Sequence, residues 1–205
     1  MKKLIALTVL AFTLSSCNKL IFVFYGVKKP AIEKEKSIRK MALKHHMDTA
    51  NIITVKCADY VKEIKGKGIP NASIFDAQGN YIEYRSNDTA CNAGLFGFIP
   101  QLSTQNTYNK PGTTTLSKEL AKYTTMNGDS ISTPAPADFY VMIYWTVWSG
   151  RLNKDHVKIW EDLAKQNTQA KVKVYKANLD LQANWNKAER DSLLSKFKKK
   201  RIAFF

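Results

Sequence analysis

Short apolar runs separated by polar, lysine-rich stretches extend along most of the chain. Several runs are continuous and rich in β-branched and aromatic residues, which is typical of strands covered on both faces. Others place apolar residues on one side of a helical repeat, which predicts amphipathic helices. The predicted strands lie at residues 20–25, 52–55, 72–76, 81–85, 139–145 and 172–175. The predicted helices lie at residues 31–47, 59–67, 91–102, 153–166 and 188–199, with Asn153 as the expected N-cap of the fourth.

The order of these elements favours an α/β fold, because strands and helices alternate in both halves of the chain. Residues 104–137 interrupt the alternation with a Thr, Asn, Ser, Gly and Pro composition, and only Leu116 to Tyr123 is helix-like there. This segment is predicted to be a polar linker or excursion. We therefore expect modules at 17–103 and 138–205, which either share one mixed sheet or form two half-domains.

The first residues carry a secretion signal. Met1-Lys2-Lys3 is basic, and the apolar stretch from Leu4 to Phe12 is too short for a membrane span of roughly 20 residues but fits a signal peptide. The following Leu14-Ser15-Ser16-Cys17 resembles the lipobox of bacterial lipoproteins. The resemblance implies a signal peptide of residues 1–16 and acylation of Cys17. The alternative is an ordinary signal peptide cleaved near Ser16.

The charge of the chain is strongly positive. Thirty-two Lys and Arg face 17 Asp and Glu, for a formal net charge of +15, while 44% hydrophobic residues indicate a globular protein. In a cytosolic protein this charge would favour nucleic acid as a partner. The signal instead predicts the bacterial cell envelope, periplasmic or surface side, and no nucleic acid. The expected partners are membrane lipid through acylated Cys17, anionic lipid or a surface glycan through the lysines, and an unidentified protein. The lysines could equally form a solvated face.

Two cysteines remain once Cys17 is lipidated. The compartment beyond the inner membrane permits disulfides, so Cys57 and Cys91 either pair or stay as two free thiols. Spacing along the chain does not decide between these alternatives, because the bridge depends on geometry.

Parts of both modules resemble thioredoxin-like proteins. The run 140–145 leads into Trp148-Ser149-Gly150-Arg151-Leu152 and a long helix, which is similar to the strand, active-site turn and helix of that family. Residues 173–180, ending in Asp180, are similar to the family's next strand. Gly68-Ile69-Pro70 before a hairpin is similar to its cis-proline segment. The resemblance implies thioredoxin-like β-α-β units and a cis bond before Pro70.

The chain departs from this family at the residues that carry its chemistry. The family's motif is aromatic-Cys-Gly-x-Cys, and here Ser149 and Leu152 occupy the two cysteine positions. Thiol–disulfide exchange requires an attacking thiolate and a resolving thiol, so this turn is not expected to catalyse it. We expect a binding or scaffold protein that has kept the fold. The alternative is an oxidoreductase that uses Cys91, at the start of a predicted helix, with Cys57 as its partner.

Three other groups of residues are candidates for function. His156 could activate Ser149, His45-His46 with Asp48 could bind a metal, and four tryptophans could form a sugar-binding platform. A surface histidine, a basic helix end and core packing are the structural alternatives, and we favour them. We therefore expect no catalytic residue, no metal and no cofactor.

Overall fold

The computed structural model describes residues 23–85, 91–112 and 114–200, except the side chains of 196–200. The strands are β1 (Ile32–Glu33), β2 (Ile52–Val55), β3 (Asn71–Asp76), β4 (Tyr81–Ile82), β5 (Tyr123–Thr125), β6 (Phe139–Trp145), β7 (Val172–Asn178) and β8 (Leu181–Gln182). The helices are α1 (Glu35–Lys44), α2 (Tyr60–Gly66), α3 (Leu95–Phe98), α4 (Leu116–Leu120), α5 (Ile159–Lys165) and α6 (Lys187–Lys200). A π-helix, Asn153–Lys158, leads into α5, and 3₁₀ helices cover Asn92–Gly94, Ile99–Gln101 and Val147–Ser149.

Within this part of the chain, six strands form one mixed sheet in the order β4-β3-β6-β7-β2-β5. The central strands β6, β7 and β2 are parallel, whereas β3, β4 and β5 run antiparallel to the strands they join. β1 and β8 form a separate parallel pair. The register places Asn71, where β3 begins, opposite Tyr144, near the end of β6. The start of β3 and the end of β6 therefore lie at the same edge of the sheet.

The central strand β6 is covered on both faces, and all of its residues are buried. Alternate side chains of a strand point to opposite faces of the sheet. Phe139, Val141, Ile143 and Trp145 enter a first core, and Tyr140, Met142 and Tyr144 enter a second. Residues of α1, α3 and α5 line the first core, and residues of α2, α4 and α6 line the second. This three-layer packing explains why the sequence of β6 is apolar without alternation.

The predicted α/β class with a mixed sheet is confirmed. Strands of both predicted modules lie in one sheet, because β3 pairs with β6 and β2 pairs with β7. The two halves are therefore not separate sheets. The segment 104–137 contributes α4 and the edge strand β5 to this arrangement. The Ile69–Pro70 peptide bond is cis, as predicted.

The prediction of a strand at 20–25 is wrong for residues 23–25, the part of the segment that the structure describes. Val23 to Tyr25 form a helical turn, and residues 20–22 lie outside the described part of the chain. The side chains of Val23 and Phe24 are 77% and 68% exposed. An apolar run becomes an inner strand only when neighbouring strands and two covered faces are available, and this segment has neither in the structure.

Other element boundaries also differ from the prediction. The helix expected from residue 31 begins at Glu35, because Ile32 and Glu33 pair with β8. The helix expected to reach Tyr123 ends at Leu120, and Tyr123 begins β5. Asn153 is not an N-cap. It lies buried within the π-helix, where its side-chain amide donates to the Thr146 carbonyl oxygen at 2.8 Å.

Candidate functional site

The candidate site is the edge of the sheet where β6 and β7 end. Open α/β sheets place their ligand sites beyond the carboxyl ends of the parallel strands. At this edge the backbone N–H of Leu179 donates to the carbonyl oxygen of Trp145 at 2.9 Å, which holds the ends of the two strands together. The turn that resembles the thioredoxin-like motif follows directly after β6.

Ser149, in the first motif cysteine position, is enclosed in this turn. Its residue is 1% exposed, and its hydroxyl shares a hydrogen bond of 2.5 Å with the hydroxyl of Thr146. Gly150 follows with a φ of 59°, a conformation that favours glycine. Leu152, in the second cysteine position, is half-buried. Neither position offers an accessible nucleophile.

Residues 25–28 lie over the turn and cover it. The Arg151 N–H donates to the Tyr25 carbonyl oxygen at 2.7 Å, and the Lys28 N–H donates to the Trp148 carbonyl oxygen at 2.9 Å. A Cβ atom at Gly150 would lie 2.5 Å from the Gly26 carbonyl oxygen and closer still to that of Tyr25. The close approach of the two segments therefore requires glycine at position 150.

The buried carboxyl group of Asp180 accepts a hydrogen bond from the same turn. Asp180 is 1% exposed, and its Oδ2 accepts hydrogen bonds from the Val147 N–H at 2.6 Å and the Asn178 amide at 2.7 Å. Burial raises the pKa of Asp180 to about 7 against the effect of these hydrogen bonds, and the nearby charge of Glu33 adds to the increase. Its other oxygen, Oδ1, is buried without a hydrogen-bond partner among the described residues. This carboxyl can exchange a proton near neutral pH, but no nucleophile of the turn is exposed beside it.

Pro70 lies at the same edge, at the start of the strand next to β6. Its carbonyl oxygen accepts a hydrogen bond of 2.5 Å from the Asn92 amide. Because Cys91 precedes Asn92, this contact brings the exposed Cys91 into the neighbourhood of Pro70. The structure thus groups Pro70, Ser149 and Leu152 at one edge and places Cys91 near it.

Cys57 lies elsewhere along the edge and is not bonded to Cys91. Both thiols are free. Cys57 follows β2, which is three strand positions from β3, a distance of about 14 Å at roughly 4.8 Å per step. Burial raises the pKa of the half-buried Cys57 thiol, and Glu189 of α6 contributes to the increase. Cys17 lies outside the described residues.

The histidine candidates do not form catalytic or metal sites in the described part of the chain. The His156 ring packs against Phe96 and Trp160, with centroid distances of 5.6 and 5.5 Å, and the hydroxyl of Ser149 is bound to Thr146. His45 is buried, and burial lowers its pKa.

The predicted partner of the histidines, Asp48, accepts from Lys165 at 3.0 Å. In the described ranges no group of three His, Cys, Asp or Glu residues could hold a metal ion.

The tryptophans belong to the core rather than to a sugar-binding platform. Trp145 and Trp160 are fully buried, and Trp148 is 8% exposed. The half-buried Trp185 packs against the second core, and its indole N–H donates to the Val55 carbonyl oxygen at 3.0 Å.

Sequence reasoning did not find a buried ion network on the second-core side of the sheet. Glu119 contacts Lys67 at 2.5 Å and Lys122 at 2.7 Å, and Lys122 also contacts Glu63 at 2.9 Å. The hydroxyl of Tyr144 donates to Glu119 at 3.0 Å. The negative charges of Glu63 and Glu119 are therefore balanced by the positive charges of Lys67 and Lys122. The two local pairs of the network, Glu63 with Lys67 and Glu119 with Lys122, lie far apart in the chain, so no local motif could have shown that they form one network.

No protein-family model, curated protein or solved structure matches this chain. The resemblances to thioredoxin-like proteins and to lipoproteins therefore rest on the residues quoted above. None of the helices in the described residues has the length and apolar character needed to cross a bilayer.

Proposed function

We propose that this chain is a lipoprotein of the bacterial cell envelope, anchored through acylated Cys17, with a thioredoxin-like fold that has lost redox chemistry and serves binding or scaffolding. The observation that carries the loss of chemistry is the closed turn at the end of β6. Ser149 stands in place of the first motif cysteine and is buried. The backbone of residues 25–28 occupies the approach to the turn.

The neighbourhood of the turn supports the thioredoxin-like part of the proposal. Two segments that suggested the resemblance, one ending at Pro70 and the other following β6, come together at the same sheet edge. The bond before Pro70 is cis. These features fit a fold retained after its cysteines were replaced, since function depends on the site rather than on the fold.

The oxidoreductase alternative is less well supported by the geometry. A dithiol mechanism requires two sulfurs that can approach until their Cα atoms are within about 7 Å. Cys91 has the exposure and the position near Pro70 that such a role would need, but Cys57 follows β2, which lies three strand positions, or about 14 Å, from β3, where Pro70 precedes the strand. Cys57 is also half-buried, with a raised pKa that disfavours the reactive thiolate.

Two measurements on the full chain expressed in a bacterial host test the proposal. Mass spectrometry of the mature N-terminal peptide should find acyl groups on Cys17, and Cys17→Ser should abolish them. An insulin-reduction assay should give no turnover with either the native protein or the Cys57→Ser/Cys91→Ser variant. A mature peptide without acyl groups would overturn the anchor. Turnover that disappears in the double variant would overturn the loss of redox chemistry.

A further inference from the structure

An exposed surface beside the covered turn combines basic and apolar side chains. A cleft of about 610 Å³ lies between residues 23–28, the end of α1 and the turn after β6. Four basic side chains line the cleft, namely Lys28, Lys44, Arg151 and Lys154. None of the described residues that line it is acidic. We call these four residues, together with Val23 and Phe24, the basic face.

The apolar members of this face are unusually exposed. Val23 and Phe24 are 77% and 68% exposed, which are the two highest values among the large hydrophobic residues in the described ranges. The Arg151 guanidinium lies 5.4 Å from the centre of the Phe24 ring. Val23 and Phe24 therefore lie on the same surface as the basic side chains. Large apolar side chains without a covering partner mark interaction sites.

The charge of this face is not neutralised by the fold. Asp155 pairs with Arg151 at 3.2 Å, but Lys28, Lys44 and Lys154 have no ion pair within the described residues. On the side of the sheet that carries the second core, Lys67 and Lys122 are by contrast bound to buried glutamates. Three lysines without an ion pair among the described residues therefore lie together on this face, beside the exposed Val23 and Phe24.

The proposed lipid anchor limits how far this face can be from a membrane. Cys17 is six residues before Val23, and a fully extended chain of that length spans about 20 Å. Combined with exposed apolar groups, positive charge is the chemistry that binds the interface of a bilayer containing anionic lipids. We infer that the basic face docks on the anionic lipid surface into which Cys17 is anchored, an inference that rests on the proposed lipoprotein function.

Amine labelling of the acylated full chain tests this inference. The protein is placed in detergent, in vesicles of phosphatidylcholine alone, or in phosphatidylcholine mixed with phosphatidylglycerol. The labelling rate of each lysine is then read by mass spectrometry. Lys28, Lys44 and Lys154 should react several-fold more slowly in the anionic vesicles than in detergent. Lys62 of α2 and Lys118 of α4, which are exposed on the opposite side of the sheet, should keep their rates.

A matched pair of variants distinguishes docking through the basic face from non-specific attraction of the charged protein to the membrane. Lys44→Glu/Lys154→Glu should abolish the protection of Lys28, whereas Lys62→Glu/Lys118→Glu should leave it intact. Equal labelling of both sets of lysines in anionic vesicles would overturn the inference. Protection that already appears in detergent as protein concentration rises would also overturn it, because it would assign the face to a second copy of the chain.

The mass of the Cys17 peptide from the same samples distinguishes the two proposals. Acylated protein without protection of the basic face overturns the docking inference and supports the anchor. Unacylated protein whose basic face is still protected in anionic vesicles supports docking and overturns the anchor.

Discussion

The backbone N–H of Arg151 donates to the carbonyl oxygen of Tyr25 at 2.7 Å, so the turn after the central strand is closed by a segment from the other end of the chain. The same contact leaves no room for a side chain at Gly150. The close approach of residues 25–28, which we call the covering segment, to the turn therefore requires glycine at position 150.

Gly150→Ala should destabilise the protein by about 2 kcal/mol, because alanine is strained at a φ of 59° and its Cβ would collide with two carbonyl oxygens. Urea unfolding monitored by tryptophan fluorescence measures the change. Gly97→Ala is the matched control, since Gly97 lies in α3 with open space around it, and this change should be neutral or slightly stabilising. Equal effects of the two substitutions would show that the covering segment does not restrict position 150.

Asp180→Asn should make the protein more stable at pH 8 and leave its stability nearly unchanged at pH 4. The folded pKa of about 7 exceeds the ordinary value of 3.8, so the folded state holds this proton more strongly. The associated stability is complete below pH 4 and is lost as pH rises through 7. At about 1.4 kcal/mol per pKa unit, the ionised group costs about 4 kcal/mol at most.

Urea unfolding of native protein and variant across this pH range tests the prediction, because the difference between them isolates Asp180 from other carboxyl groups. A difference in unfolding free energy that is the same at pH 4 and pH 8 would contradict it.

Glu119→Gln should lower the unfolding free energy by about 2 to 3 kcal/mol, because it removes one of the two buried carboxylates that bind the half-buried Lys67 and Lys122. Burial opposes ionisation of Glu119, but the two lysines outweigh it and lower its pKa. The contribution of the native group should therefore disappear as pH falls through that lowered pKa. Glu35→Gln is the control, since its pair with Arg39 is exposed and should contribute little. A comparable loss in both variants would argue against a stabilising network.

Cys91 should be alkylated by iodoacetamide several-fold faster than Cys57 in the native protein, because Cys91 is exposed whereas Cys57 is half-buried with a raised pKa. Peptide mass spectrometry over a time course gives the two rates, and the rates should become equal in denaturant. Recovery of a peptide with Cys57 and Cys91 joined by a disulfide would contradict the structure.

Sequence pattern was sufficient where burial follows from local composition. β6 was predicted with the observed bounds, because a strand covered on both faces must be apolar at every position. The same rule failed at 23–25, where an equally apolar run forms a helical turn and remains exposed. Apolar composition favours burial of a segment, but which other segments can bury it depends on the whole fold.

The site was only partly predictable for a related reason. The cis bond before Pro70 was expected from the resemblance, and the absence of sulfur at the turn is evident from the sequence. The closure of the turn by Tyr25 and the network around Glu119 depend on contacts between residues far apart in the chain. No spacing rule connects such residues, so their contacts became visible only in the folded protein.

The covering segment also determines where mechanical load would enter this protein. Any pull on the proposed anchor at Cys17 reaches the described fold through residues 23–28. Two backbone hydrogen bonds, at Tyr25 and Lys28, connect that segment to the turn that follows β6. β6 lies between β3 and β7 with both faces covered, which makes its end a firm point of attachment. Tension during extraction from a membrane would therefore first separate the covering segment and open the turn, while the sheet behind it stays intact.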